Sequence, residues 1–257
     1  MQPHSRQEAH QLHASYAIFT DENPWVDRDR IEYKHFEPWV AWAKEHGYGI
    51  DFNPTLFSHP MVKEGLTVSS PDKDVRDFWI RHCIACRKIA ERIGEELDDM
   101  VLNNFWIPDG LKDYPADRFG MRERLRDALD EIYSFETPHV IDAWSRRSSA
   151  SASRASPPAT RSSTCLMPRR RAATTWCSST PATSTPWKHR RQALQLAAVL
   201  PYVPLHVTRS MHWDSDHVVL FDDNIKEIAG EIVRCPDGWD KVIIDLDFFD
   251  ASINRIG

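Results

Sequence analysis

Short apolar runs that read as strands alternate with amphipathic runs that read as helices through both flanks of this chain, and that order dictates parallel pairing. Pro38 to His46 predicts a helix, with Trp39, Trp42 and Ala43 on one stripe and Gly47 as its stop. Tyr48 to Pro54 then alternates and ends at proline, as a strand does. Ser70-Pro71 reads as the N-cap and first-turn proline of a long helix on which Val75, Phe78, Trp79, His82, Cys86, Ile89 and Ile93 repeat at helical spacing. Met100 to Ile107 predicts a buried strand, Arg122 to Tyr133 a helix and His139 to Asp142 another strand. Gln11 to Tyr16 is too short to assign. Further on, Gln192 to Leu200 predicts a helix, Pro204 to Thr208 a strand, Asp222 to Val233 a helix and Lys241 to Phe249 a strand. The fold class is therefore α/β, either a barrel or a doubly wound sheet. No Gly-x-Gly-x-x-Gly follows a strand, which disfavours a dinucleotide fold, and polar residues gather after several strands, as the open face of a barrel requires.

Those strand ends carry the chemistry. The stretch Leu205 to His217 and the pair Leu246-Asp247 place imidazole and carboxylate groups directly after apolar runs, and such groups hold hard divalent cations. An Asp-x-Asp by itself is usually a solvated turn, and the pair Asp222-Asp223 is read that way. Asp214 and Asp216 rise above it because strand residues and His206 precede them. Asp247 has apolar flanks, and a buried carboxylate without a partner is costly, so a paired one is expected.

Composition bounds the alternatives. With 257 residues, 41% of them hydrophobic, the chain can bury one large core, and no apolar run is long enough to cross a bilayer. Met1 to Arg6 lacks the apolar core of a secretory signal, so a cytoplasmic protein with no membrane partner is expected. Cysteines at 83, 86, 165, 177 and 235 form no framework spacing, and disulfides are not expected. The net charge of -6 hides two unlike parts: Trp144 to Gln192 holds 10 Lys and Arg and no Asp or Glu, which leaves 22 basic against 38 acidic side chains elsewhere. The acidic part argues against nucleic acid as a partner.

The basic part has a different composition throughout. Of its 49 residues 30 are Ser, Thr, Ala or Pro, and Val, Ile, Phe, Tyr, Gly and Asn are absent, so no core is expected from it. It reads as a disordered basic linker, as an arm for polyanions with Arg169-Arg170-Arg171 as its densest cluster, or as a stretch translated out of frame. The third reading can be checked on paper. With suitable codons and a one-base shift, Thr180 to Pro186 becomes Asp-Thr-Gly-His-Phe-His-Pro, and Trp144 to Ser156 becomes Val-Glu-Ser-Lys-Ile-Phe-Gly-Ile-Gly-Ile-Glu-Ser-Phe. Both are foldable, ligand-bearing sequences. The chain thus divides into N-terminal β/α units (1-143), a disordered, insert-like, out-of-frame segment (144-191) and C-terminal β/α units (192-257).

Several segments together resemble bacterial L-rhamnose isomerase: Gly49 to Pro54 with Phe57-Ser58-His59-Pro60, Trp106 to Gly110, Arg209 to Val219, and Leu246 to Ile256. The resemblance covers about residues 10 to 143 and 192 to 257, and the shifted middle resembles the family's Val-Glu-Ser-Lys and Asp-x-Gly-His segments. It implies a (β/α)8 TIM barrel of the xylose-isomerase-like type, here incomplete, that interconverts L-rhamnose and L-rhamnulose with two divalent metals, usually Mn2+, with Mg2+ or Co2+ able to substitute. By resemblance His206 and Asp247 would hold the structural metal, and Asp214 and Asp216 the catalytic one. His13 would serve the sugar ring oxygen as an acid, Trp106 would wall the site, and Asn53 and Asp250 would meet substrate hydroxyls. The family's homotetramer is implied too, though both ends of this chain look short for a closed barrel. The departures matter: Ser145 and Arg147 stand where the family has a bridging glutamate and a lysine, and Thr180 and Thr183 stand where it has an aspartate and a histidine. Impaired or absent catalysis by the chain as written is therefore expected. The alternatives are a non-catalytic sugar-binding remnant and a nucleic-acid-binding protein using the basic arm.

Three other features read as structural. His82 to Cys86 lies inside a helix and suits a core better than a redox or haem motif. His59, His139, His212 and His217 are expected to be ordinary polar or core residues. Trp39, Trp42 and Trp79 lie on helix stripes, so core packing is expected for all three.

Overall fold

The computed structural model describes residues 8–110, 117–146, 172–174, 176–177, 203–207, 223–234, 240 and 242–246. They fall in two compact units, the larger spanning essentially His4–Arg147 and the smaller Ala173–Gly257.

The larger unit repeats strand and helix in the expected order. Strand β1 (Ala9–His13) is followed by α1 (Glu37–His46), β2 (Gly49–Asn53), α2 (Lys73–Leu97), β3 (Val101–Ile107), α3 (Arg118–Ile132) and β4 (Val140–Arg146). The strands pair in parallel in the order β1-β2-β3-β4, and a short β5 (Ala172–Thr174) is the fifth strand of that sheet. β1 pairs along its whole length with β2, from Ala9 opposite Gly49 to His13 opposite Asn53. The segment too short to assign from sequence thus divides, Gln11 to His13 closing the strand and Ala14–Tyr16 forming a 3-10 turn.

Helix α1 stops where glycine permits it: Gly47 takes φ 72°, a left-handed conformation that other residues adopt at a cost. Helix α2 begins two residues later than the sequence suggests. Asp72, not Ser70, is its N-cap, accepting from the Asp74 amide at 3.0 Å, while the Ser70 hydroxyl accepts from the Asp72 amide at 3.2 Å. One acceptor matched to the first free amides fixes that start. The stripe of α2 packs as predicted, with Val75, Phe78, Trp79, His82, Cys86, Ile89 and Ile93 all buried, and Cys83 joins them. Cys83 and Cys86 are buried free thiols, both shifted towards higher pKa by burial.

The tryptophan expectation divides. Trp79 is fully buried, but Trp39 and Trp42 are exposed, while Val40 and Ala43 of the same helix fill the core. Helical spacing cannot tell a core stripe from its neighbour when both are apolar. Trp42 instead stacks on His46 and Tyr48, and Trp39 donates its ring N–H to the Tyr16 carbonyl at 3.0 Å.

The smaller unit contains β6 (Trp176–Cys177), β7 (Val203–Val207), α4 (Asp223–Arg234) and β8 (Val242–Leu246), with the strands parallel in the order β6-β7-β8. Strands β5 and β6 and the last three residues of β4 lie in the segment for which no ordered structure was expected, so eight of its described residues pair in strands. The helix predicted over Gln192 to Leu200 lies outside the described residues. Among the described residues no helix is long and apolar enough to cross a membrane.

Candidate functional site

Strand alternation decides which side chains face the site. Leu12, Phe52, Val101, Phe105 and Ile107 sit in the two clusters that pack against the helices. Their neighbours His13, Asn53, Asn104 and Trp106 therefore share the other face, at the C-terminal end of β1, β2 and β3. His13 and Asn53 are level in register. Asn53 and Asn104 are buried, and Trp106 is half-buried.

The turn after β2 completes the group. Asn53 Oδ1 accepts from the Thr55 amide at 2.8 Å, and the Thr55 hydroxyl donates to the Asn53 carbonyl at 3.1 Å. That hydroxyl has a single proton, so its remaining contact, 3.1 Å from His13 Nδ1, is made as an acceptor. With the Thr55 proton given to the Asn53 carbonyl, a neutral His13 would carry its own proton on Nδ1. Phe57 then stands edge-on to His13, with ring centroids 6.4 Å apart, and edge-on to Trp106 at 5.4 Å. Tyr16 is tilted against His13 from the opposite side, at 5.3 Å. A basic nitrogen beside an aromatic wall suits a ligand with one apolar end and several hydroxyls.

Two buried carboxylates brace this face from behind. Asp109, two residues past β3, accepts from the amides of Thr67 and Ser69 at 2.8 Å each, and from both of their hydroxyls. Burial raises its pKa, and these four donors pull against that rise. Asp142 of β4 meets Arg87 of α2, and Asn103 of β3 donates to it at 3.0 Å. Burial raises its pKa as well, with the Arg87 charge opposing.

Of the predicted site residues, His13, Asn53 and Trp106 come together in the larger unit. His206 is the penultimate residue of β7 in the smaller unit and stands level with Asp245 of β8 and Cys177 of β6. Asp214, Asp216, Asp247 and Asp250 lie outside the described residues, as do His212 and His217. The sequence reading missed Thr55, Phe57, Asn104 and Asp245. The Asn-Pro-Thr step after β2 was a usable signal, because asparagine commonly binds the amide two residues on. Nothing local marked Phe57.

Among the described residues one group of three, Glu91, Glu95 and His139, clusters closely enough to hold a cation. It lies at the N-terminal end of the strands, before β4, where Glu91 already accepts from the His139 amide at 3.0 Å and pairs with its ring at 2.7 Å. His59 likewise has a structural partner, Asp27 at 2.9 Å, and stacks on Phe78.

Solved structures with this fold include a D-tagatose 3-epimerase-like protein, with TM-score 0.57, 13% identity, and 92% of this chain and 80% of that one covered. The D-psicose 3-epimerase of Clostridium cellulolyticum H10 aligns with TM-score 0.60 at 14% identity, covering 94% and 75%. At that identity the likeness establishes the fold, an α/β barrel of the xylose-isomerase-like type built from parallel β/α units. The family pattern "L-rhamnose isomerase (RhaA)" matches residues 5–150 and 191–257, and the chain belongs to that family. It is 44% identical over 242 residues to the L-rhamnose isomerase of Listeria monocytogenes serotype 4a (strain HCC23), and 43% identical over 265 residues to that of Yersinia pseudotuberculosis serotype IB (strain PB1/+). Both matches cover 94% of this chain. It spans 57% and 58% of those relatives' lengths.

Proposed function

We propose that this chain is part of an L-rhamnose isomerase, an aldose–ketose isomerase that interconverts L-rhamnose and L-rhamnulose, and that its sugar lies on the face formed by His13, Asn53 and Trp106. The observation that carries this is the His13–Thr55 contact, which anchors the His13 ring through Nδ1 beside an aromatic wall. Opening a pyranose requires a proton at the ring oxygen and removal of one from the anomeric hydroxyl. A histidine whose other nitrogen is anchored meets that need. Trp106 and Phe57 offer an apolar surface to the sugar's methyl end and exclude water from it. Asn53 and Asp250 are proposed partners for sugar hydroxyls.

The residues fit the divalent metal that the family implies. Imidazole and carboxylate oxygens suit Mn2+, Mg2+ or Co2+, and His206 stands level with Asp245 in a parallel pair whose strand β8 is followed in the sequence by Asp247. His206 and Asp247 would hold one ion, and Asp214 and Asp216 the other. Such an ion polarises a carbonyl and the adjoining hydroxyl together, which moving hydrogen between C1 and C2 requires. Mn2+ as the native ion, a cytoplasmic location and a homotetramer are part of the same proposal.

The proposed domain boundaries draw support from the gap in the family match. It runs through 150 and resumes at 191, which brackets most of the segment with anomalous composition. We propose that 144-191 is an out-of-frame stretch between two parts of one barrel. Ser145, Arg147, Thr180 and Thr183 then replace two metal ligands, a bridging carboxylate and a proton-handling lysine, and the chain as written is impaired. Nucleotide sequence around codons 143 and 192 tests this directly, since compensating one-base indels are expected there. The frame-corrected, full-length protein should convert L-rhamnose in the presence of Mn2+, and a clear preference for another aldose overturns the substrate assignment.

A further inference from the structure

The turn after β2 carries both groups that meet His13 and Trp106, and it is held in a conformation it would not adopt unaided. Thr55 has φ 55° and Ser58 φ 54°, both in the left-handed region. A β-branched threonine there is a true outlier, and each such residue costs on the order of 1–3 kcal/mol unless its surroundings impose the geometry. The surroundings are two side chains from elsewhere in the chain. Arg28 Nη1 donates to the Thr55 carbonyl at 2.6 Å and to the Phe57 carbonyl at 2.7 Å, and its Nη2 donates to the Ser58 carbonyl at 3.4 Å. His82, fully buried on α2, sets Nδ1 2.7 Å from the Arg28 carbonyl and Nε2 2.5 Å from the Pro54 carbonyl, one residue before Thr55. Arg28 thus grips the turn, and the His82 ring lies between the backbone of Arg28 and the start of that turn, giving the single proton of its neutral form to one of the two carbonyls.

We infer that Arg28 and His82 are positioning residues for the site: by drawing the turn's carbonyls away from His13 they leave Thr55 Oγ1 on His13 Nδ1 and Phe57 against Trp106. The inference rests on the sugar-site reading above and deepens it. A planar guanidinium with forked donors can satisfy three neighbouring carbonyls at once, whereas a lysine ammonium is a single point charge. Arg28→Lys therefore keeps charge and approximate size but releases the turn. Neither residue touches the sugar face itself, so their effect passes through Thr55 and Phe57.

The test follows the His13 ring by nitrogen NMR in the full chain, with L-rhamnose affinity read by calorimetry. In the unsubstituted protein His13 is expected to hold its proton on Nδ1. An Nε2–H tautomer there overturns the inference without any variant. Arg28→Lys and His82→Gln should mix the tautomers, move the His13 titration and weaken sugar binding by about tenfold or more. Ser58→Gly removes the strain at that position, so Arg28→Lys/Ser58→Gly should recover the His13 signature that Arg28→Lys loses. If Arg28→Lys and His82→Gln lower the melting temperature but leave the His13 tautomer and titration unchanged, both residues are ordinary staples and the inference is wrong. Should the unsubstituted protein bind no L-rhamnose while the His13 signals still respond to the variants, the sugar reading fails and the positioning role stands.

Discussion

Arg87 of α2 and Asp142 of β4 form a buried pair in which the guanidinium donates through Nε at 3.0 Å and Nη2 at 2.9 Å to the same carboxylate oxygen. Arg87 also donates to the Ile132 carbonyl at 2.8 Å and to the Thr137 hydroxyl at 2.9 Å, and its guanidinium lies 4.5 Å from the Phe135 ring centroid. One side chain therefore joins α2, the end of α3 and the start of β4. Arg87→Met should cost about 3–5 kcal/mol in urea unfolding, because it strands a buried carboxylate. Arg87→Met/Asp142→Leu should recover much of that loss. By contrast Lys44–Glu96 and Arg92–Glu95, both solvent-exposed, are expected to contribute less than about 1 kcal/mol each.

Asp109 holds the turn after β3 against residues 67 to 69 through four donors. Asparagine at this position keeps one acceptor oxygen and turns an N–H2 towards a backbone amide that can only donate, beside a hydroxyl that must rotate to accept. Asp109→Asn should cost about 1–3 kcal/mol of stability, measured by thermal unfolding. Asp109→Ser, which leaves room for water to reach the amides, should do less harm than Asp109→Leu.

The buried ring of His82 gives stability a pH dependence of definite sign. Burial draws its pKa below the ordinary 6.5, against the pull of the two carbonyls that favour the protonated ring. The unfolded chain then binds the proton more readily than the folded one. The His82 contribution is complete above pH 6.5 and is lost as pH falls from there through the folded-state value. Urea unfolding of the unsubstituted protein should weaken more steeply below pH 6.5 than that of His82→Gln, and parallel curves would refute this sign.

Trp106→Ala should weaken L-rhamnose binding by about tenfold, with a smaller loss for a sugar lacking the methyl group, since an aromatic wall acts on the apolar end. His13→Gln is expected to spare binding but slow turnover of the frame-corrected enzyme when ring opening limits the rate. Chelation of divalent cations should abolish turnover in that enzyme.

Gly94 in α2 stands where that helix passes residue 139, and a Cβ on it would come within 2.5 Å of the His139 Cβ. Gly94→Ala should therefore destabilise the fold despite alanine's better helix propensity, and a rise in melting temperature would contradict that close approach.

Much of the larger unit was legible because its signals are local. The stripe on α2, the alternation in Gly49 to Asn53 and the glycine after α1 each act within a few residues, and each element formed where they lie. Asn53 and Trp106 were legible near strand ends for the same reason, whereas His13 rested on the family resemblance alone. What escaped was non-local: the exposure of Trp39 and Trp42, the Asp72 cap, and the pairing of Arg87 with Asp142 across 55 positions of sequence. The two short strands within 144-191 also escaped, since the composition there argues against any core.

By itself the sequence determined the alternation of strands and helices, the family and the residue types that gather after strands, because periodicity and composition are properties of neighbours along the chain. Only the tertiary structure decided that Thr55 meets Nδ1 of His13, that Phe57 joins His13 to Trp106, and that Arg28 and His82 hold the turn between them. Those relations depend on which face each strand turns to the helices and on carbonyls brought to donors from distant positions, and no run of adjacent residues encodes such distances.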